Sequence, residues 1–393
     1  MYPIVLLKKG REKSIARRHP WIFSGAVQRA DAPAAAGGLV CVESEKQLPL
    51  ATGYYNPQSD IRVRILDFKE SKIDEGFFTE RFKRAWDSRK NLLGAETDAW
   101  RLINSEGDGL PGLVVDRYAD GLVVSVETLG MERLKPLWLK ALEDAVKPQF
   151  IFERSERDER ESDRGSKPVR ALLSGEREAG RVVIREGGCR YLVDFEKGQK
   201  TGFYLDQREG RRWVGRLAKD RRVLNLFSYS GGFTVQALKE GAREVVSVDS
   251  SRPALELLEE NLALNGLDSA SSDAVEGNVF DFLRTEKAGE FGLVIVDPPS
   301  FARRRSETQK AGRAYKDVNR LAFQRAAPGG YVLTYSCSHF FPYELFIKIV
   351  YQAALEAGRE ARILNRFSHP VDHPVHIFHP EGEYFKGLLL EVS

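Results

Sequence analysis

Residues 223–251 read VLNLFSYSGGFTVQALKEGAREVVSVDSS, and this stretch decides the fold of the C-terminal half. The apolar run 223–227 has the length of a buried strand. Small residues follow at Ser228, Ser230, Gly231 and Gly232; then 234–240 opens a helix and 245–248 makes a second apolar run. Strand, tight loop, helix, strand is the sequence form of a parallel doubly wound sheet. Residues this small let a ligand reach the backbone N–H groups at the start of the helix. The second strand ends in Asp249, eighteen residues after Gly231, where a carboxylate can accept hydrogen bonds from both hydroxyls of a ribose. The GxGxxG spacing that serves a pyrophosphate is absent. The layout therefore predicts a nucleoside ligand that need not carry a phosphate.

Toward the C-terminus the same rhythm continues, with a helix expected at 253–265 and strands at 291–296, 331–335 and 388–392. The run VIVDPPSF delivers Asp297 to the carboxyl end of a buried strand, the edge at which open α/β sheets bind ligands. Pro298 and Pro299 fix the loop that follows, since they lack N–H donors and lock φ. In YVLTYSCSHF another strand delivers Cys337 to that edge. A Cys at a strand end is often a small buried hydrophobe, but at this edge a thiolate would be a nucleophile.

Toward the N-terminus, residues 1–68 alternate short β-rich runs (4–7, 39–42, 61–68) with Gly/Pro turns, and predict a small β module. Residues 69–185 mix an amphipathic helix at 77–93, strands at 113–116 and 122–126 and a helix at 132–146. The stretch 153–170, ERSERDERESDRGSKPVR, is nearly all charge and turn formers and predicts a solvated, mobile loop. Domains are thus expected at 1–68, 69–185 and 186–393, as a chain of 393 residues needs more than one core.

The net charge of +3 hides two basic clusters. Residues 1–29 carry Lys8, Lys9, Arg11, Lys13, Arg17, Arg18 and Arg29 against Glu12 alone, with Trp21 and Phe23 beside them. Arg303, Arg304, Arg305, Lys310, Arg313, Lys316 and Arg320 stand against Glu307 and Asp317 just after DPPSF. Cations interleaved with aromatics suit phosphate pairing and base stacking. Three cysteines, Cys41, Cys189 and Cys337, are too few for a disulfide framework or a zinc motif. No run approaches ~18 apolar residues, so a cytoplasmic protein with no membrane span is expected. His373, His376 and His379 are interrupted by Pro374 and followed by Pro380, which disfavours a helix with the three on one face and argues against a metal site.

Taken together, GQKTGFYLDQR (198–208), NLFSYSGGF, SVDSS, DPPSF and YSCS resemble the class I S-adenosylmethionine-dependent RNA 5-methylcytosine methyltransferases, specifically the large-subunit ribosomal RNA methyltransferase I type. GREKSIARRHPWIFSGAV (10–27) resembles the start of a PUA RNA-binding domain. The resemblance covers essentially the whole chain. It implies an α/β protein: a Rossmann-like class I methyltransferase domain preceded by a small β-rich PUA-like domain and a small α+β domain. It implies that Phe227, Ser228, Tyr229 and Gly231 line the methionine part of S-adenosylmethionine, that Asp249 and Ser250 hold its ribose, and that Asn278 and Val279 face the adenine. Phe203, Gln207 and Arg208 would close over the cofactor, and Asp297 with Pro298 would line the reacting end. The family often has Asp where this chain has Asn278. The implied partner is 23S ribosomal RNA or a large-subunit assembly intermediate, bound through Lys8, Arg11, Lys13, Arg17, Arg18, Trp21, Arg303, Arg304 and Arg305; a homodimer is compatible with the sequence.

Carbon 5 of cytosine is too weak a nucleophile to take a methyl group from a sulfonium unless something first adds to carbon 6. A thiolate suits that task because it attacks near neutral pH and leaves again. Cys337 is therefore the expected nucleophile, with Asp297 hydrogen-bonding the N3/N4 edge of the base. Two rivals remain at this stage. One is methylation of an exocyclic amino group, which needs no thiol; the other is an RNA-binding assembly factor without turnover.

Overall fold

Alternating apolar positions in the first 68 residues fold into one sheet of the computed structural model, which describes residues 2–156, 168–177, 180–285, 290–302 and 304–393. Its strands are β1 (Ile4–Leu7), β2 (Trp21–Phe23), β3 (Val27–Ala30), β4 (Gly38–Glu43), β5 (Pro49–Tyr55) and β6 (Ile61–Asp67), with the short helix α1 (Lys13–Ala16) after β1. The order is β2-β6-β5-β4-β1-β3, around a core of Val5, Leu7, Ile22, Val40, Val42, Val63 and Ile65.

A second sheet follows the long helix α2 (Glu75–Leu93), whose first turn is capped by Asp74 accepting from the Phe77 N–H at 3.2 Å. Its strands β7 (Ala99–Asn104), β8 (Leu113–Tyr118), β9 (Gly121–Val126), β10 (Phe150–Ser155) and β11 (Val169–Gly175) run in the order β11-β10-β9-β8-β7. The helix expected at 132–146 is two, α3 (Leu129–Arg133) and α4 (Lys135–Val146), because Pro136 has no N–H to continue the first. The expected loop 153–170 is corrected at both ends. Glu153, Arg154 and Ser155 pair with Ala171, Arg170 and Val169 in a ladder, and buried Glu153 meets the Lys135 ammonium at 2.8 Å; the middle of that stretch, 157–167, lies outside the described residues. Ladder hydrogen bonds and a buried ion pair override the composition of the segment.

The chain divides into two compact units. The first holds both of these sheets together with 193–203 and 371–382; the second comprises 183–192, 204–370 and 383–393. The hairpin β12 (Arg181–Glu186) and β13 (Cys189–Asp194) leads into α5 (Arg208–Ala218).

The second unit is built on a seven-stranded sheet. Its strands are β14 (Arg222–Leu226), β15 (Glu244–Asp249), β16 (Ser272–Glu276), β17 (Phe291–Val296), β18 (Ala326–Ser336), β19 (Ala361–Phe367) and β20 (Lys386–Val392). Helices α6 (Gly232–Lys239), α7 (Arg252–Leu264), α8 (Val279–Thr285), α9 (Thr308–Arg325) and α10 (Tyr343–Glu356) connect them. The order is β16-β15-β14-β17-β18-β20-β19, with β20 antiparallel to both neighbours and the first five parallel. Strand order reverses between β15 and β17 at β14, and ligands of open α/β sheets bind at the carboxyl ends beside such a switch point. Buried residues on both faces, among them Leu224, Val246, Val294 and Val332 on one and Val223, Val245, Leu293 and Leu333 on the other, make the strands continuously apolar, as a covered parallel sheet requires. Among the described residues no helix is long and apolar enough to cross a membrane, and the three cysteines are free thiols.

Candidate active site

Five strands of the second unit deliver polar groups to the carboxyl edge of its sheet. After β14 the chain turns through Phe227, Tyr229 and Gly231, all with positive φ (60°, 47° and 77°). Positive φ at Phe227 and Tyr229 is unfavourable by about 1 kcal/mol or more each, a strain that clusters at ligand sites. Phe227 had been expected as the last residue of the strand; its left-handed backbone ends β14 one residue earlier. At Gly231 a Cβ would lie 2.5 Å from Leu258 Cγ, so side chain and backbone both demand glycine. The loop is pinned from behind by Asn261 of α7, fully buried, whose amide donates to the Ser230 carbonyl at 3.0 Å.

At the end of β15 each Asp249 oxygen accepts one backbone N–H, Oδ2 from Tyr229 at 2.8 Å and Oδ1 from Ser251 at 2.9 Å. A carboxylate offers about four lone-pair sites, so both oxygens retain acceptor capacity. Ser250 beside it is exposed. Asn278 Oδ1 accepts from the Phe280 and Asp281 N–H groups at 2.8 and 3.3 Å and so caps α8, while Val279 is buried.

Gln207 and Arg208 lie at the start of α5, both buried. Arg208 Nε donates to Glu186 Oε2 at 2.9 Å and Arg211 Nε to Glu186 Oε1 at 2.6 Å, and Arg211 also donates to the Tyr204 carbonyl at 2.9 Å. Burial tends to raise the Glu186 carboxyl, but Arg211 and then Arg208 outweigh it and hold the group below its ordinary range. Phe203 ends the 193–203 segment of the first unit, where it is buried.

The loops after β17 and β18 are laced together. Ser300 and Ser338 both donate their hydroxyls to the Ala302 carbonyl, at 2.9 and 3.1 Å, and the Cys337 Sγ lies 4.0 Å from the Pro298 carbonyl oxygen. Asp297 and Cys337 are half-buried. Tyr204 and Tyr315 crowd the same place, and burial, together with the charges of Asp297 and Cys337, pushes both phenols upward so that they stay neutral donors.

The site fits S-adenosylmethionine on its own chemistry. Ser228 Oγ and Gln207 Oε1 are buried without a hydrogen-bond partner among the described residues, which leaves a donor and an acceptor for the ligand. Gly231 admits close approach at the N-terminus of α6, and Asp249 keeps lone pairs for a ribose.

The expected RNA-facing residues fall in different settings. Lys8, Arg11, Lys13, Arg17 and Arg18 are exposed in the first unit, as are Arg304 and Arg305 in the second; Arg303 lies outside the described residues. Trp21 is half-buried, with its indole N–H donated to Glu106 at 2.7 Å and its ring 4.4 Å from that of His379, whereas Phe23 is 50% exposed. Asp372 and buried His373 belong to the first unit, where Asp372 accepts from the Arg101 N–H at 3.1 Å. Sequence reasoning missed Glu186, Arg211, Asn261, Ser338 and Lys386. Only Ser338 carried a local signal, as the serine flanking the thiol.

The family described as S-adenosylmethionine-dependent methyltransferase matches residues 164–371, and a PUA-like domain matches residues 5–68. A protein of Aeromonas salmonicida named Ribosomal RNA large subunit methyltransferase I is 44% identical over 99% of each chain. Its namesake of Salmonella newport is 41% identical over 100% of this chain and 98% of that one. A candidate methyltransferase whose crystal structure is a complex with S-adenosylhomocysteine shares the fold at a TM-score of 0.85, with 24% identity over 99% of each chain. A Rossmann-like sheet carrying this loop and Asp249, matched by the family over more than half the chain and by relatives over its full length, makes the chain a member of the S-adenosylmethionine-dependent methyltransferases, of the large-subunit ribosomal RNA methyltransferase I type.

Proposed function

We propose that the protein methylates carbon 5 of a cytosine in large-subunit ribosomal RNA through a covalent adduct at Cys337. The observation that carries the reading is the approach of Cys337 to the Asp297-Pro298 loop at the carboxyl edge of the sheet. A noncovalent amino methylase has no use for a thiol there. S-adenosylmethionine, when bound, supplies an electrophilic methyl group on a sulfonium. Phe227, Ser228, Tyr229 and Gly231 would surround its methionine part, with Gln207 Oε1 accepting from the ammonium and buried Arg208, ion-paired to Glu186, supporting it from the start of α5. Asp249, with Ser250 beside it, would bind the ribose hydroxyls and Val279 would pack on the adenine; Asn278 supports that contact from its capping position.

In the reaction Cys337 bonds to carbon 6 of the ring as the thiol's proton is relayed to N3, and Asp297 accepts hydrogen bonds from the N3–H and N4–H donors of the adduct so formed. Carbon 5 then takes the methyl group, its proton leaves to a base, and the carbon–sulfur bond breaks to return the thiolate. Because the ring must be reached from its face, the target cytosine is unpaired or flipped out. Exposed Lys8, Arg11, Lys13, Arg17 and Arg18 would pair with phosphates, as would Arg304, Arg305 and, by sequence, Arg303. Phe23 is better exposed for stacking than Trp21, which serves to shape that surface. Free thiols and the ribosomal substrate fit a cytoplasmic setting.

Two measurements test this. Unmodified 23S RNA incubated with labelled S-adenosylmethionine should yield label in 5-methylcytidine on nucleoside mass spectrometry; label in an N-methylated base would replace the reading with the amino methylase. Asp249→Ala should weaken S-adenosylmethionine binding about 100-fold or more by calorimetry, the loss expected for two hydrogen bonds to a charged acceptor at about 1.5 kcal/mol or more each. Unchanged affinity would remove Asp249 from the cofactor site.

A further inference from the structure

Lys386 is the first residue of β20, paired in register with Ser336 of β18, the residue just before Cys337. It is buried, with 3% of its surface exposed, although a lysine is rarely buried without a carboxylate partner. Its ammonium instead donates to two carbonyls, Ser338 at 2.7 Å and Phe341 at 2.6 Å, which belong to the turn that continues from the thiol. That turn is the one laced to the Asp-Pro-Pro loop through Ser338 Oγ and the Ala302 carbonyl.

The titratable groups around Cys337 come from five elements. Asp297 follows β17, Tyr204 precedes α5, Tyr315 sits on α9, Lys386 opens β20 with Glu383 just before it, and exposed His339 lies two residues beyond the thiol. Both tyrosines are held neutral and Asp297 and Glu383 bring negative charge. The buried cation in this set is Lys386.

We infer that Lys386 is a positioning residue for Cys337: it clamps the two carbonyls of the turn behind the thiol and supplies the positive charge beside which a thiolate forms, a role that rests on reading Cys337 as the nucleophile. An adjacent cation favours the thiolate over the thiol, and the thiolate is the attacking species. The influence is mutual. Burial outweighs the upward pull of Cys337 and Glu383 and leaves the Lys386 ammonium lowered to about 8. The lysine therefore stays charged at neutral pH and loses its effect as pH rises past that value.

The test reads the thiol directly. Full-length wild type, Lys386→Met and Lys386→Arg are alkylated with iodoacetamide across a pH series, and modification of Cys337 is mapped by peptide mass spectrometry, with buried Cys41 and Cys189 as internal references. Lys386→Met should move the alkylation midpoint of Cys337 up by about one unit and slow its modification at pH 7 about tenfold. Lys386→Arg, which keeps the charge, should stay near wild type, and methyl transfer by the Met variant should lose kcat with the KM for S-adenosylmethionine unchanged. A folded Met variant with an unshifted midpoint overturns the inference; if Met prevents folding, Lys386→Gln, which can still donate to a carbonyl, is read by the same criterion. Cys337→Ser separates the two claims: methylation that survives it removes the nucleophile, whereas an unshifted alkylation profile beside an inactive Cys337→Ser removes only the lysine's role.

Discussion

Cys337→Ala is expected to lower methyl transfer by about 10³-fold or more, equivalent to raising the barrier by at least about 4 kcal/mol. The size of the effect follows from the need for an adduct at carbon 6: without it carbon 5 keeps the electron density of an aromatic ring and does not attack a sulfonium at a useful rate. The fold should not suffer, because Cys337 is half-buried and its Sγ meets the Pro298 carbonyl only at 4.0 Å. S-adenosylmethionine affinity should also be retained, since Asp249 and the loop after β14 are untouched. Single-turnover transfer of label to unmodified 23S RNA measures the loss, with calorimetry of cofactor binding as the control. A Cys337→Ala protein within threefold of wild type would sink the covalent mechanism. Cys337→Ser should be equally inactive, because a serine hydroxyl does not ionise near neutral pH.

Glu186→Ala should destabilise the second unit by about 3–5 kcal/mol, the usual consequence of removing one partner from a buried charge cluster. Glu186, Arg208 and Arg211 are 4%, 1% and 3% exposed, and one carboxylate is shared by two guanidiniums at 2.9 and 2.6 Å. Deleting the carboxylate leaves two positive charges facing each other out of water. For a unit of this size the midpoint of thermal unfolding should fall by about 10 °C. Glu186→Gln keeps the volume and one acceptor and should fall between the two. Because Glu186 is held below its ordinary value of 4.5, its contribution is fully present above that pH and is lost as pH falls through the lower folded-state value. Wild type should therefore show an acid limb in its stability that Glu186→Ala lacks. Thermal melts from pH 3 to 7 decide the matter, and a melting point of Glu186→Ala within about 2 °C of wild type would overturn the assignment.

The sequence by itself determined five of the seven strands of the C-terminal sheet, all but β16 and β19, and three corners of the candidate site. Strand 291–296 was expected where β17 lies, and the runs at 223–227 and 245–248 fall on β14 and β15, because buried parallel strands are continuous apolar segments that local reading detects. Asp249, Asp297 and Cys337 were legible for a related reason. Parallel strands all point one way, so residues just past their ends must gather at one edge.

Tertiary structure alone decided what depends on partners distant in the chain. Helix α5, REGRRWVGRLA, reads as a charge run, yet Arg208 and Arg211 are among its most buried residues because β12 brings Glu186 to them. Glu153 sat in a stretch that composition assigned to solvent, and it is buried because Lys135 and a strand ladder receive it. Trp21 reads from the sequence as an aromatic among cations, and only the fold brings Glu106, 85 residues away, to accept its indole N–H. Lys386 is 48 residues from Ser338 and comes beside Cys337 only because β20 inserts antiparallel between β18 and β19. Burial of a charge is favourable only when a specific partner compensates its desolvation. The identity of that partner is a property of strand order, which no local pattern of residues contains.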